Sequence, residues 1–106
     1  MTQTNKTITV TITPGAKPDD PPKVSPDPVE VWPNDEVEWN CSTDCEFTVV
    51  FLDPLKKPFK DRGFNKQKSK SGKPTQTPPP GEEEKYKYSV IVGGGVLDPD
   101  VIIRGR

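Results

Sequence analysis

Cys41 and Cys45 are the only cysteines in the 106-residue chain, with Ser42-Thr43-Asp44 between them. Two thiols at that spacing can close a local disulfide, lie buried as inert thiols, or switch between the two states. A metal site made with Asp44 or Glu46 is the weakest reading, because structural zinc normally takes four ligands. The chain holds no histidine, which removes a Ser-His-Asp triad, any His-bearing zinc site and an imidazole general base. Glu36 and Glu38 share the outer face of one strand, with no sign of a cleft that would raise either pKa for acid–base work. Asp98-Pro99-Asp100 and Glu82-Glu83-Glu84 carry oxygen donors. Calcium, however, needs roughly six to eight converging oxygens, so these stretches read as a turn and a charged edge. No catalytic residue, metal or other cofactor is expected, and the chain does not read as an enzyme.

A second constellation is basic. Residues 53–80 hold Lys56, Lys57, Lys60, Arg62, Lys66, Lys68, Lys70 and Lys73 against only Asp53 and Asp61, with Phe59 and Phe64 among them. Cations interleaved with aromatics can hold a single-stranded polyanion by phosphate contact and stacking. The net charge of the whole chain is −1, which gives no field toward nucleic acid. The favoured reading is a solvated loop whose two phenylalanines tuck back onto the body of the protein. Residues 18–46 carry nine acids against Lys23, so the near-zero total conceals a dipolar molecule. A protein partner with an acidic face suits the loop better than nucleic acid does, and the 18–46 segment of another copy is one such face. The candidate binding residues are Lys56, Lys57, Phe59, Lys60, Arg62, Phe64, Lys66 and Lys68.

The elements that must position these groups are strands. Fourteen prolines and eight glycines argue against long helices, and 29% hydrophobic residues limit the core to a small one. Thr7 to Thr13 alternate, with Ile8, Val10 and Ile12 on one face and four threonines on the other. Val24 reads as part of a short edge strand. Val29 and Val31 precede a turn at Trp32-Pro33-Asn34-Asp35, where Asn34 suits a left-handed conformation. Val37, Trp39 and Cys41 share the next face, and Cys45, Phe47, Val49 and Phe51 the one after. Tyr86, Tyr88, Val90 and Val92 line a late strand, Gly93-Gly94-Gly95 breaks it, and Val101-Ile102-Ile103 is the last. The expected core is Ile8, Val10, Ile12, Val29, Val31, Val37, Trp39, Phe47, Val49, Phe51, Tyr88, Val90, Val92 and Ile103.

The sum is one all-β domain over residues 1–106, an antiparallel Greek-key β-sandwich of six to eight strands with a long Pro/Lys-rich loop at 53–80. A loop of that length is uncommon in a compact domain and is usually functional or mobile. No run approaches the roughly 20 apolar residues of a membrane span. The opening residues lack an apolar signal region, which favours the cytoplasm.

The order of parts resembles the cupredoxin family. Val29-Glu-Val-Trp-Pro-Asn-Asp-Glu-Val-Glu-Trp39-Asn40 is similar to that family's strand–turn–strand, with Asn34 in place of the turn glycine. Cys45 to Phe51 resembles the following strand, which bears the first copper histidine. Gly81 through Tyr86-x-Tyr88-x-Val90 resembles the approach to the copper cysteine, and Gly93 to Asp100 stands where the ligand loop would be. The resemblance implies a copper-binding sandwich over roughly Ile8 to Ile103. Its ligand positions, however, fall on Phe47 and Val90, and the implied loop has neither His nor Met. Blue copper needs two imidazoles, a thiolate and a weak axial ligand, so a metal-free binding or structural module is expected, acting on a protein partner through loop 53–80. Two further functions stand beside it: a redox-responsive protein using Cys41 and Cys45, and polyanion binding through Lys56–Lys73. If the cysteines oppose each other in a hairpin, their Cβ atoms lie about 4.5–5.5 Å apart, against the roughly 3.8 Å a disulfide prefers. If their strands belong to different sheets, a bridge closes a corner.

Overall fold

Alternating Thr and β-branched residues favour a pleated, half-buried surface, and the chain follows that preference throughout. In a computed structural model, which describes residues 6–53 and 55–105, the protein is all-β, with no helix among those residues. Nine strands succeed one another: β1 (Thr7–Thr13), β2 (Lys23–Ser25), β3 (Val29–Val31), β4 (Glu36–Cys41), β5 (Thr48–Phe51), β6 (Gly63–Asn65), β7 (Glu83–Val92), β8 (Gly95–Leu97) and β9 (Asp100–Arg104). The count exceeds the expected six to eight because β6 and β8 are three-residue strands, too short to show a period of two.

One sheet has the order β2-β1-β4, and the other β3-β9-β7-β5-β6, with β8 also on β7. The sheets are mixed, which corrects the expectation of a purely antiparallel arrangement: β1 is parallel to β4, and β3 to β9. A parallel pair needs a crossover rather than a tight turn. Between β1 and β4 the chain provides one, through β2 in the first sheet and β3 in the second. The turn into β4 also differs from expectation. Asn34 is not left-handed; Asp35 instead closes the turn, its N–H donating to Trp32 O at 2.9 Å and its carboxylate accepting from Trp32 N at 3.3 Å.

The core lies between the sheets. Trp39 on β4 meets Phe51 on β5 and Tyr88 on β7 at ring-centroid distances of 6.4 and 5.7 Å, both edge-on. Twelve of the fourteen residues expected in the core are buried, while Ile8 and Val92 pack partly exposed at its margin. Phe59, Phe64, Tyr86, Val101 and Cys41 join them.

The 53–80 excursion is stitched into this body. Val49 pairs with Phe64 across β5 and β6. Asn65 and Lys68 exchange main-chain hydrogen bonds in a tight turn, at 3.0 and 3.1 Å. The chain then runs along the free edge of β4: Trp39 N donates to Ser69 O and Ser71 N to Val37 O, while Ser71 Oγ accepts from Val37 N at 2.8 Å. The segment thus passes from one sheet to the other and closes that side of the core. Truncating a buried phenylalanine costs about 3–5 kcal/mol, so Phe59→Ala is expected to destabilise the protein by that amount. Leu55→Ala, four residues earlier and exposed, is expected to stay within about 0.5 kcal/mol. Urea titrations of both variants test this, and equal losses would contradict the stitched excursion.

Candidate functional site

Of the positions that the cupredoxin resemblance assigns to copper ligands, Val90 lies on β7 and Phe47 just ahead of β5, the strand beside it. Val49 opposes Val90 in the β5–β7 ladder, so Phe47, two residues before Val49, is on the same inward face as Val90. Both are buried in the core, Phe47 at 5% exposure and Val90 at 0%. Hydrocarbon occupies both places, the chain has no histidine, and both sulfurs are tied in a disulfide. Among the described residues no three His, Cys, Asp or Glu side chains converge on a point. The donor set does not fit copper, and no chemistry is derived through it.

Cys41 and Cys45 form a disulfide across a Cα separation of 5.5 Å. Cys41 ends β4 in the three-stranded sheet, and Cys45 lies in the link to β5 in the other sheet. The bridge therefore closes a corner between sheets and is not a hairpin rung. Asp44 takes a positive φ of 58° inside that corner, and its N–H donates to Cys41 O at 3.0 Å. Asp at such a position is tolerated better than most residues. Lys66 holds the corner from outside, its ammonium 3.3 Å from Asp44 Oδ1 and donating to Asp44 O at 3.1 Å.

Three lysines of the excursion, Lys68, Lys60 and Lys57, act on one carboxylate, Asp61, while Lys56, Arg62 and Lys66 are engaged elsewhere. Lys56 pairs with Glu84 at 3.0 Å and lies over the Tyr86 ring. The hydrogen bond to Glu84 raises its pKa. Lys68 pairs with Asp61 at 2.8 Å and, by that hydrogen bond, holds the Asp61 carboxyl below its ordinary value. Arg62 donates to the main-chain oxygens of Phe51 and Leu52, at 2.8 and 3.3 Å. Phe59 and Phe64, named as stacking candidates, are core residues: Phe64 stacks on Trp39 at 5.1 Å, and Phe59 meets Trp39 edge-on at 6.5 Å. Neither ring is available to a nucleobase. Lys60 is exposed and Lys57 half-buried; neither has a described ion pair, and both add to the lowering of the Asp61 pKa.

Beside them lie two residues that the sequence reading passed over. Leu52 is 44% exposed and Leu55 95%. The signal for them was present: Leu52-Asp53 breaks the alternation that ends at Phe51, so the next apolar side chains have no sheet face to enter. Of two shallow depressions of about 280 and 290 Å³, one is lined by Pro14–Pro18, Asp20, Val92 and Gly93, and the other by Lys6, Thr7, Asn34, Glu36, Gly72 and Lys73, where the exposed Thr7 hydroxyl donates to Glu36 Oε2 at 3.3 Å. The chain matches no family model, no curated protein and no solved structure.

Burial dominates the one strongly shifted group. It pushes the Tyr88 hydroxyl up to about 12, with the nearby Trp39 indole N–H pulling weakly the other way. That proximity is not a well-formed hydrogen bond, since Trp39 Nε1 and Tyr88 Oη both lack a partner of normal geometry. Burial also raises the other tyrosine, Tyr86. A raised folded-state pKa means the native protein holds its proton more tightly than the unfolded chain. The Tyr88 contribution to stability is therefore complete below about pH 10 and falls away as pH rises toward 12. Ultraviolet titration of tyrosinate in Tyr86→Phe should show one late-ionising phenol coincident with unfolding; ionisation near the ordinary value in folded protein would contradict the buried ring.

Proposed function

We propose that the chain is a non-catalytic, metal-free binding module on a cupredoxin-like, Greek-key β-sandwich, and that it engages a protein partner through the outer tip of loop 53–80. Support for the cupredoxin-like reading comes from where the matching segments fall. The strand–turn–strand stretch forms β3 and β4, Cys45–Phe51 leads into β5, the Tyr-x-Tyr stretch is β7, and Gly93–Asp100 spans the turn and β8 before β9. The two ligand positions, Val90 on β7 and Phe47 just ahead of the neighbouring β5, are both packed as core.

One observation carries the binding reading: Leu55 stands 95% exposed on a loop whose other side is bolted down by Phe59 and Phe64. A large apolar side chain held outward on an anchored scaffold, with Lys57 and Lys60 nearby, has the make-up of an interface anchor with a basic rim. The partner implied is a protein surface with an apolar recess and acidic surroundings. The disulfide persists most readily in an oxidising compartment, which favours such surroundings over the cytoplasm.

Deleting residues 53–80 would remove two core rings along with the tip, so the informative variant is confined to the outside. Capture from extract with the intact protein is expected to yield a partner that Leu52→Ser/Leu55→Ser/Lys57→Glu loses at least tenfold, with unchanged urea stability. Equal capture by both proteins would end the loop-tip reading. Stoichiometric copper with an intense visible band on adding Cu(II) would end the metal-free one.

A further inference from the structure

β7 outruns its neighbour on one side. Along one edge it is paired by β9 at Glu83–Lys87 and by β8 at Val90–Val92; along the other, β5 covers only Tyr88–Ile91. In an antiparallel ladder, successive residues turn their main-chain groups to opposite edges. Glu82 O accepts from Gly105 N, and Tyr88 N donates to Pro99 O, which directs residues 82, 84, 86 and 88 toward β9. Residues 83, 85 and 87 therefore face the β5 side, where Lys87 O accepts from Leu52 N at 3.3 Å. There the chain leaves the edge, because Asp53 accepts from Leu55 N and Lys56 N and turns it away. The N–H and C=O groups of Glu83 and Lys85 face outward, engaged by no described hydrogen bond, and both residues are exposed.

We propose that this open half-edge is a self-association site, on which two copies of the chain pair antiparallel about a two-fold axis at Glu84, each Glu83 opposite the second copy's Lys85. The charges select that register. With only Glu83 and Lys85 offering rungs, a two-fold pairing can set Glu83 against Glu83, Lys85 against Lys85, or Glu83 against Lys85. Glu83 shares the Arg104 guanidinium with Glu30, and this cluster keeps one net negative charge, so the first two registers oppose like charges and the third opposes unlike ones at both rungs. Lys85 against itself would also bring the incoming strand onto the Lys87 rung that Leu52 occupies. In the third register the second copy's Gly81 falls opposite Lys87, and pairing ends where Leu52 already holds the edge. Glu84 meets its counterpart on the inner face, and there the Lys56 ammonium, 3.0 Å from Glu84 Oε2, neutralises each carboxylate. Charges along an exposed strand deter indiscriminate pairing, and this pattern leaves one arrangement open. The association is read on the purified chain alone, so its test does not require the loop-tip partner.

Lys85→Pro is the direct test. The amide it removes points to the open edge and not to β9, and proline is tolerated where a strand's N–H faces solvent. Sedimentation velocity of the purified protein, from micromolar to millimolar at low salt, is expected to show a concentration-dependent dimer. Lys85→Pro and Lys85→Glu should each weaken it at least tenfold with far-ultraviolet circular dichroism retained. If the proline variant fails to fold, Lys85→Glu decides. A wild type that stays monomeric throughout, or a dimer indifferent to Lys85→Glu, would overturn the proposal.

Discussion

Trp39 is the contact on which the architecture depends. Its indole touches Phe51 and Tyr88 from the opposing sheet and Phe59 and Phe64 from the excursion, so one side chain joins every layer of a small core. Aromatic pairs at these separations add to the area they bury, and in a chain with 29% hydrophobic residues few other side chains are large enough to span the gap. The cost is local: Trp39 Nε1 and Tyr88 Oη are buried without a hydrogen-bond partner. Packing outweighs polar satisfaction at this point.

The same cluster explains why a segment rich in lysine and proline behaves as structure. Once Phe59 and Phe64 enter the core, the backbone between them has to cross from β6 to the free edge of β4. There it covers main-chain groups that an open edge would leave exposed. That path brings basic 66–70 alongside the acidic stretch around β4, with Lys66 ion-paired to Asp44 and the main chain of Lys70 paired antiparallel with that of Glu38. Part of the charge asymmetry along the chain is thus cancelled inside one molecule. The excursion also leaves Leu52, Leu55 and Lys60 exposed and Lys57 half-buried, apolar and basic side chains together.

The corner at Cys41–Cys45 works from the other end. The link between β4 and β5 is short and must change sheets, and it does so with a left-handed Asp44, a disulfide and an external lysine. Each restraint is local, and together they hold the sheets in the orientation that lets Trp39 reach across.

Much of this was legible in the residues alone. Strict alternation in Thr7–Thr13, Val37–Cys41, Val49–Phe51 and Tyr86–Val92 determined strands and their buried faces, because a pleated chain sends successive side chains to opposite sides. The absence of histidine determined that no imidazole chemistry exists here. Other features needed the third dimension. Which strands lie parallel depends on crossovers, and these leave no trace in local periodicity. Three-residue strands such as β6 and β8 carry too few residues to show a period. Whether Phe59 and Phe64 bind a ligand or fill a core depended on the space beneath Trp39, and whether Leu55 is inside or out depended on where β5 stops. Sequence patterning sets which face of an element is apolar; only assembly sets what stands opposite that face, because burial is a property of neighbours brought together from distant parts of the chain.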